Sequence, residues 1–349
     1  AVQAQLQTAI AAATGAGEPG ESRAASVLFD AVEPLPMTLE FPVRRLKQGE
    51  PLAEPVAGTV IVTGDAGTDR LDVEVMTRGH SRLLLCDLPP LKLNFRRSQV
   101  DGTVFAGQNK LKLVTHCQRG RKFERYLHQE YALYRAYHAL TEEAFRVRML
   151  EVTYRDSEGK RRDRSHPAFL IEADPEVAAR LGYDEVEVPR MANGDFDRAA
   201  ITRMGLFQFM IGNTDWALRT GRKGEPCCHN GLLLRKPDGR HVMVPYDFDQ
   251  AGIIDADYAV PAQGLGIRSV RQRLFRGLCT GEDAYDGAIA LFNGQRGELE
   301  DLFPQSGDSK RGNRRARRYL AQFFDIVNDA GDRQEWIGDS CRGRPSDWE

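Results

Sequence analysis

The 349-residue chain has no apolar run approaching the ~20 residues that a helix needs to cross a bilayer. It also has almost no net charge: 48 Lys and Arg stand against 50 Asp and Glu, a formal balance of −2. A main partnership with nucleic acid calls for a strongly basic surface and is therefore not expected. CxxC pairs are missing. The adjacent Cys227-Cys228-His229 has no second ligand pair to complete a zinc site, which argues against structural zinc. The cysteines that are present (Cys86, Cys117, Cys227, Cys228, Cys279, Cys341) are even in number. Such a set permits disulfides in an oxidising compartment without requiring them in a chain of this length. An initial Met is absent. The chain opens on Ala, which reads as a processed or trimmed form whose signal peptide would lie out of sight.

The residues present describe a globular protein. Hydrophobic residues make up 41% and charged residues 28%, ordinary proportions, and the length allows two domains or two lobes around a cleft. Residues 1–26, rich in Ala, Gln and Gly, read as a frayed helix and linker. Residues 27–175 have a β texture: strands are expected at Met37 to Val43, Gly58 to Thr63, Leu71 to Met76, Arg82 to Phe95 and Lys110 to Thr115. One helix, Lys122 to Leu140, and a hairpin running to Glu172 complete this part. Residues 176–349 read as mainly helical. A helix capped by Asp195 or Asp197 runs to about Ile211, and others span Val270 to Leu278, Ala284 to Phe303 and Arg314 to Asn328. One hairpin, Gly231 to Tyr246, interrupts them. Basic clusters at Arg121-Lys122, Lys160 to Arg162 and Arg314 to Arg318 fit solvated faces or phosphate-attracting rims.

Three polar islands have an order that suggests chemistry. Asp215 sits in the turn sequence Gly212 to Asp215, where a carboxylate can accept or position a hydroxyl proton. Asn230 opens a strand, and its amide oxygen can complete a Mg²⁺ shell. Asp247 ends the next strand two residues before Asp249, so both carboxylates can hold a metal. Turn capping explains each island singly; the order and the intervening hairpin make the set more specific. On the helix, Glu130 falls inside the stripe Phe123, Tyr126, Leu127, Tyr131, Tyr134, Tyr137. A carboxylate on a buried face requires a partner, and Lys110, Lys112 or Lys92 could supply the ammonium. A place at the stripe edge, facing solvent or Arg135, is the plainer reading. Arg78-Gly79 joins two strands with a backbone able to approach phosphate closely, and Arg78 or Arg82 adds charge. A plain turn accounts for it equally well.

Taken together, these motifs resemble the spore-coat protein H (CotH) family of atypical protein kinases over about residues 35–260. Arg78-Gly79-His80-Ser81 stands where members carry an Arg-Gly-Asn-Ser-like turn, and Leu91 to Phe95 stands for a Lys-x-Phe strand. Gln129-Glu130-Tyr131-Ala132-Leu133-Tyr134 is similar to the helix motif Arg-Glu-x-Leu-Ala-Tyr. Phe169 to Glu172 looks like the hinge strand that meets adenine; Asp215 with His229-Asn230, and Tyr246-Asp247-Phe248-Asp249, look like the catalytic and metal motifs. The chain departs from the pattern by one extra residue before Lys110, by Tyr for Trp at 246, and by a longer interval between Asp215 and Asn230.

The resemblance implies an α+β, protein-kinase-like two-lobed fold, with a β-rich N-lobe carrying one long helix and a mainly helical C-lobe. It implies transfer of the γ-phosphoryl group of ATP, with Mg²⁺ or Mn²⁺, to protein Ser/Thr hydroxyls. Asp215 would act on the acceptor, and Asn230, Asp247 and Asp249 would hold the metal. Arg78, Gly79, Lys112 (or Lys92) with Glu130, and Glu172 would hold the nucleotide. A small-molecule or sugar kinase and a protein nucleotidyltransferase are alternatives, as is a non-catalytic coat or surface assembly module. An extracytoplasmic location, periplasmic or secreted, is expected; the oligomeric state is not legible.

Overall fold

A computed structural model describes residues 27–64, 67–304 and 310–348. The expected N-terminal helix and linker, residues 1–26, lie outside the described residues. Seven strands form the first half: β1 (Leu35–Phe41), β2 (Val56–Gly64), β3 (Gly67–Thr77), β4 (Leu91–Phe95), β5 (Lys110–Thr115), β6 (Val147–Asp156) and β7 (Arg164–Ile171). They close into a barrel in the order β1-β2-β3-β4-β5-β7-β6. All neighbours are antiparallel except β1 and β6, which pair in parallel from Leu35–Leu150 to Phe41–Asp156 and shut the ring.

This barrel overturns the expected fold class. The protein is not a protein-kinase-like two-lobed α+β fold: it has a closed seven-stranded mixed barrel beside a three-stranded sheet and helices. The individual strands follow the hydrophobic alternation, but alternation carries no information about which distant strand closes the ring. Side chains of alternate residues fill the interior: Leu39 and Phe41 of β1, Val73 and Val75 of β3, Leu91 and Leu93 of β4, Leu111 and Leu113 of β5. Phe95 and Phe105 stack there with centroids 4.9 Å apart.

The opposite face of β6 and β7 serves a second core. Met149, Phe169 and Ile171 pack outward against a helix and belong to the cluster of the C-terminal half, whereas Leu150, Ala168 and Leu170 point inward. The helices are α1 (Ser81–Leu85), α2 (Arg97–Val100), α3 (Arg121–Leu140), α4 (Asp174–Leu181), α5 (Arg198–Ile211), α6 (Glu282–Gly294), α7 (Arg296–Asp301), α8 (Lys310–Asn328) and α9 (Ala330–Arg333). Most of the stripe on α3 is buried as its spacing predicts, with Phe123 and Tyr131 half-buried and both Tyr131 and Tyr134 packed on Phe169. A small sheet of β8 (Asp184–Glu185), β9 (Gly231–Arg235) and β10 (His241–Pro245) lies in the order β10-β9-β8.

Two local expectations change. The segment Arg82 to Phe95 is not one strand: α1 occupies its start and only Leu91–Phe95 joins the barrel, after Pro89-Pro90. Proline cannot donate to a ladder, which explains the late strand start. Residues 270–278 are irregular rather than helical. Their Arg273 guanidinium instead donates to the carbonyls of Phe209 (3.2 Å) and Met210 (2.9 Å) at the end of α5, and of Tyr319 (2.5 Å) on α8. Phe209 and Met210 lie in the last turn of α5, whose carbonyls have no partner further along their own helix, and a buried cation takes them.

Candidate functional site

The site is built around α5. Asp197 caps its start by accepting from the Ala200 N–H (2.9 Å). Gly212, at φ +67°, ends it with its N–H on the last-turn carbonyls. A left-handed residue here lets the chain reverse immediately into the loop Asn213 to Trp216. The loop is tied down: Asn213 Oδ1 accepts from the Asp215 N–H (3.0 Å), Trp216 Nε1 donates to Asn213 O (3.0 Å), and Arg276 donates to Trp216 O (2.6 Å).

Asp215 therefore has a fixed backbone, and its carboxylate has two neighbours. His229 Nε2 lies 3.0 Å from Oδ1, and Asn230 Nδ2 donates to Oδ2 (3.1 Å) and to the Asp215 carbonyl (2.7 Å). The long interval between Asp215 and Asn230 does not separate them; it loops away and returns through the disulfide-bonded pair Cys227–Cys228. With the Asn230 nitrogen spent on Asp215, its side-chain oxygen is the atom left for a ligand.

Asp247 and Asp249 leave the end of β10. Asp247 (φ +62°) and Asn230 (φ +54°) both occupy the left-handed region. Non-glycine residues in that region are uncommon and concentrate at functional sites. The Asp247 N–H donates to the Tyr134 hydroxyl of α3 (2.9 Å), which fixes the turn.

Arg82 of α1 holds this cluster together. Its guanidinium makes a two-point pair with Glu130, Nη1–Oε2 2.9 Å and Nη2–Oε1 3.1 Å. It also reaches Asp247 Oδ1 at 2.6 Å and Asp249 Oδ2 at 3.4 Å. Arg82, Glu130 and Asp249 are 7%, 2% and 4% exposed, so the pairing is dry. Burial opposes the charge on Arg82, but Asp249, Glu130 and Asp247 push its pKa up further. Burial raises Glu130 against the pull of Arg82. Burial also opposes ionisation of Asp247, yet Arg82 and Arg78 hold its carboxyl below the usual range. Burial, with the like charges of Asp247 and Glu130, pushes Asp249 up to about 8 in spite of Arg82.

These residues open onto a cavity of about 290 Å³ lined by Arg78, Gly79, Asp215, Asn230, Asp247 and Asp249, among others. Four of the expected nucleotide-site residues are placed elsewhere. Glu130 sits behind Arg82. Its expected lysine partner is corrected to Arg82, which makes the pair, while Lys92 and Lys112 lie side by side on the outer face of the barrel. Lys92 is exposed. Lys112 pairs with Asp174 (2.6 Å), and its ammonium lies over the rings of Phe145 and Tyr246, the latter lining the cavity. Burial lowers the Lys112 pKa, opposed by Asp174. Glu172 follows β7, and Arg180 takes both its oxygens at 3.0 and 2.9 Å. Sequence reasoning missed Arg222 and Glu225, which line the cavity from the loop before Cys227. It also missed the Tyr134 hydroxyl and left Arg82 as an alternative to Arg78. A buried tyrosine on the same helix stripe as Glu130 was the available signal.

Among the described residues, no group of three or more His, Cys, Asp or Glu side chains is arranged to hold a metal ion. The donor chemistry nevertheless suits a hard cation. Arg82 engages one oxygen of Asp247 and one of Asp249, and Asn230, which lines the same cavity, keeps its amide oxygen unspent. Among the described residues no helix is long and apolar enough to cross a membrane. No protein-family model matches the chain, and no curated protein matches it.

Proposed function

We propose that this cavity binds ATP with Mg²⁺ or Mn²⁺ and transfers the γ-phosphoryl group to a hydroxyl, that of a protein Ser or Thr. The barrel departs from a kinase architecture, so the proposal rests on the site rather than on the fold. The observation that carries it is the convergence of Arg78, Gly79, Asp215, Asn230, Asp247 and Asp249 on one polar cavity. They come from a strand end, a helix-end loop and a hairpin far apart in the chain.

Phosphoryl transfer needs positioning and charge neutralisation more than covalent chemistry. Arg78 and the turn at Gly79 (φ +87°) suit phosphate oxygens. Asn230, Asp247 and Asp249 would hold the cation, whose contribution is to neutralise charge on the transferring phosphate. The acceptor oxygen forms its bond to the γ-phosphorus as the bond to the β–γ bridging oxygen breaks, and ADP leaves. Asp215, oriented by His229 and Asn230, takes the hydroxyl proton. The disulfides Cys86–Cys117, Cys227–Cys228 and Cys279–Cys341 support an extracytoplasmic setting for this chemistry.

The test is incubation of the purified chain with Mg²⁺ and ATP labelled at the γ or the α position, with a generic protein acceptor. The γ-label should transfer, and Asp247→Ala should lower the rate by about 10²-fold or more. Labelling undiminished in Asp247→Ala would remove the assignment. Retention of α-label would turn it to nucleotidyl transfer.

A further inference from the structure

A second cavity lies at the other side of the loop Cys86 to Pro90, at the end of the barrel where β5, β6 and β7 meet. It has a volume of about 100 Å³. Four arginines rim it: Arg119 after β5, Arg161 and Arg162 in the β6–β7 turn, and Arg164 at the start of β7. All four are exposed, and among the described residues none of them forms a salt bridge. An exposed basic rim alone is ordinary surface. The lining beneath it is not.

Tyr154 and His116 also line this cavity, at 5% and 4% exposure. The Tyr154 hydroxyl and the His116 Nδ1 are buried without a hydrogen-bond partner. Buried polar atoms are nearly always paired, because leaving one unpaired forfeits its hydration. Two residues with such orphans line one small cavity under four guanidiniums, which gives an anion entering it two donors to meet. Burial pushes the Tyr154 hydroxyl up, so it is a donor at neutral pH. His116 stacks on His166 (3.8 Å between centroids), whose Nδ1 lies 3.1 Å from Glu124 Oε1. Burial, His166 and Arg119 together lower His116 to about 3, so it is neutral and can carry its one proton on Nδ1.

Two carboxylates also line the cavity. Asp156 is engaged by backbone N–H groups, from Val43 (3.1 Å) and Lys160 (2.8 Å), and so shapes the turn that presents the arginines. Asp87 is exposed at the edge. Four guanidiniums against two carboxylates leave the cavity positive.

We propose that this cavity is an oxyanion site that binds a single phosphate group, held by the Tyr154 and His116 donors beneath and by the arginine rim above. The group can be free inorganic phosphate or a phosphorylated side chain. The volume admits such a group and not a nucleotide.

The test is calorimetric titration of the whole chain with inorganic phosphate, and separately with a phosphoserine peptide and its unphosphorylated twin. Phosphate or the phosphopeptide should bind, the twin should not, and the stronger of the two identifies the source. Tyr154→Phe removes one donor at constant shape and should weaken the binding about tenfold or more. Arg161→Ala/Arg162→Ala lies on an exposed turn, so it should fold normally and lose the same binding event, which separates this site from anion binding by Arg78. Wild-type affinity retained in both variants would overturn the proposal. So would the absence of any binding at concentrations on the order of 10 mM.

Discussion

Replacing Arg82 by Met removes the guanidinium paired with Glu130 while keeping an unbranched side chain of similar reach. Glu130 is 2% exposed, so water cannot take over the role of the guanidinium. The cost is bounded by the alternative open to Glu130, which is to bind a proton. From an ordinary value of 4.5 that costs about 3.4 kcal/mol near pH 7, at about 1.36 kcal/mol per unit. This agrees with the about 3–5 kcal/mol seen when one partner of a buried pair is removed. Asp249, already pushed up to about 8, holds its proton through most of this range and adds little. Asp247 has a side chain 37% exposed and can hydrate.

The sign of the pH dependence follows. In Arg82→Met the folded pKa of Glu130 is raised, so between its ordinary and raised values the unfolded state binds fewer protons and stability falls as pH rises. The loss should be at most about 3.4 kcal/mol near pH 7, less the share that burial already imposes on Glu130 beside Arg82, and shrink to at most about 1 kcal/mol near pH 5. Urea unfolding followed by Trp fluorescence, in chelator to exclude divalent ions, measures it; Trp216 is 3% exposed and reports on the core. Arg82→Met/Glu130→Leu should recover most of the loss, because a buried pair replaced on both sides leaves no orphaned charge. A loss below about 1 kcal/mol near pH 7, or one of equal size near pH 5, would refute the reasoning.

Two further outcomes follow from burial and crosslinking. His116 has its folded pKa depressed from 6.5 to about 3, so the unfolded state takes up the proton first and stability is lost as pH falls through that window. His116→Gln should flatten that acid loss, by up to about 2–3 kcal/mol near pH 4.5, read as the change in urea midpoint between neutral and acid buffer. The Cys279–Cys341 bridge spans 62 residues and ties the loop after residue 278 to the C-terminal segment. Cys279→Ser/Cys341→Ser should cost about 4 kcal/mol by loop closure, visible as a lower melting temperature; an unchanged melt would show that the packing of Leu278 and Ile337 already holds these ends together.

Much of the local structure was legible because it rests on periodicity. The alternation in β3, with Leu71, Val73 and Val75 inward and Asp72 and Glu74 outward, needs only a two-residue repeat. The α3 stripe needs only the three- and four-residue spacing of a helix. Ring closure was not legible. The pairing of Leu35 with Leu150 depends on the path of every strand between them, and an alternating strand reads the same in an open sheet as in a barrel. The segment from Arg82 to Phe95 misled because its leucines suit either a helix or a strand, and only Pro89-Pro90 marks the break. Asp215, Asn230 and Asp247 stood out in the sequence by their order around one hairpin, since turn capping explains each of them singly.

The partner of Glu130 shows where residue-level reasoning stops and geometry takes over. Burial required a cation for Glu130, and strand lysines were the nearest in sequence. Lys92 and Lys112 alternate with Leu91, Leu93, Leu111 and Leu113, which fill the barrel, so both lie on its outer face; there Lys92 is exposed and the Lys112 ammonium is taken by Asp174, while Arg82 reaches Glu130. The choice of Arg82 also fits the task. A guanidinium presents five donors in a rigid fork and stays charged when buried, so one side chain can face Glu130, Asp247 and Asp249 together. A lysine there would offer three donors from a point and, like Lys112, would have its pKa lowered by burial. The carboxylates would then lose both directionality and charge balance. The charge balance of this cluster therefore depends on arginine as such, and on α1, the short helix that turns it inward.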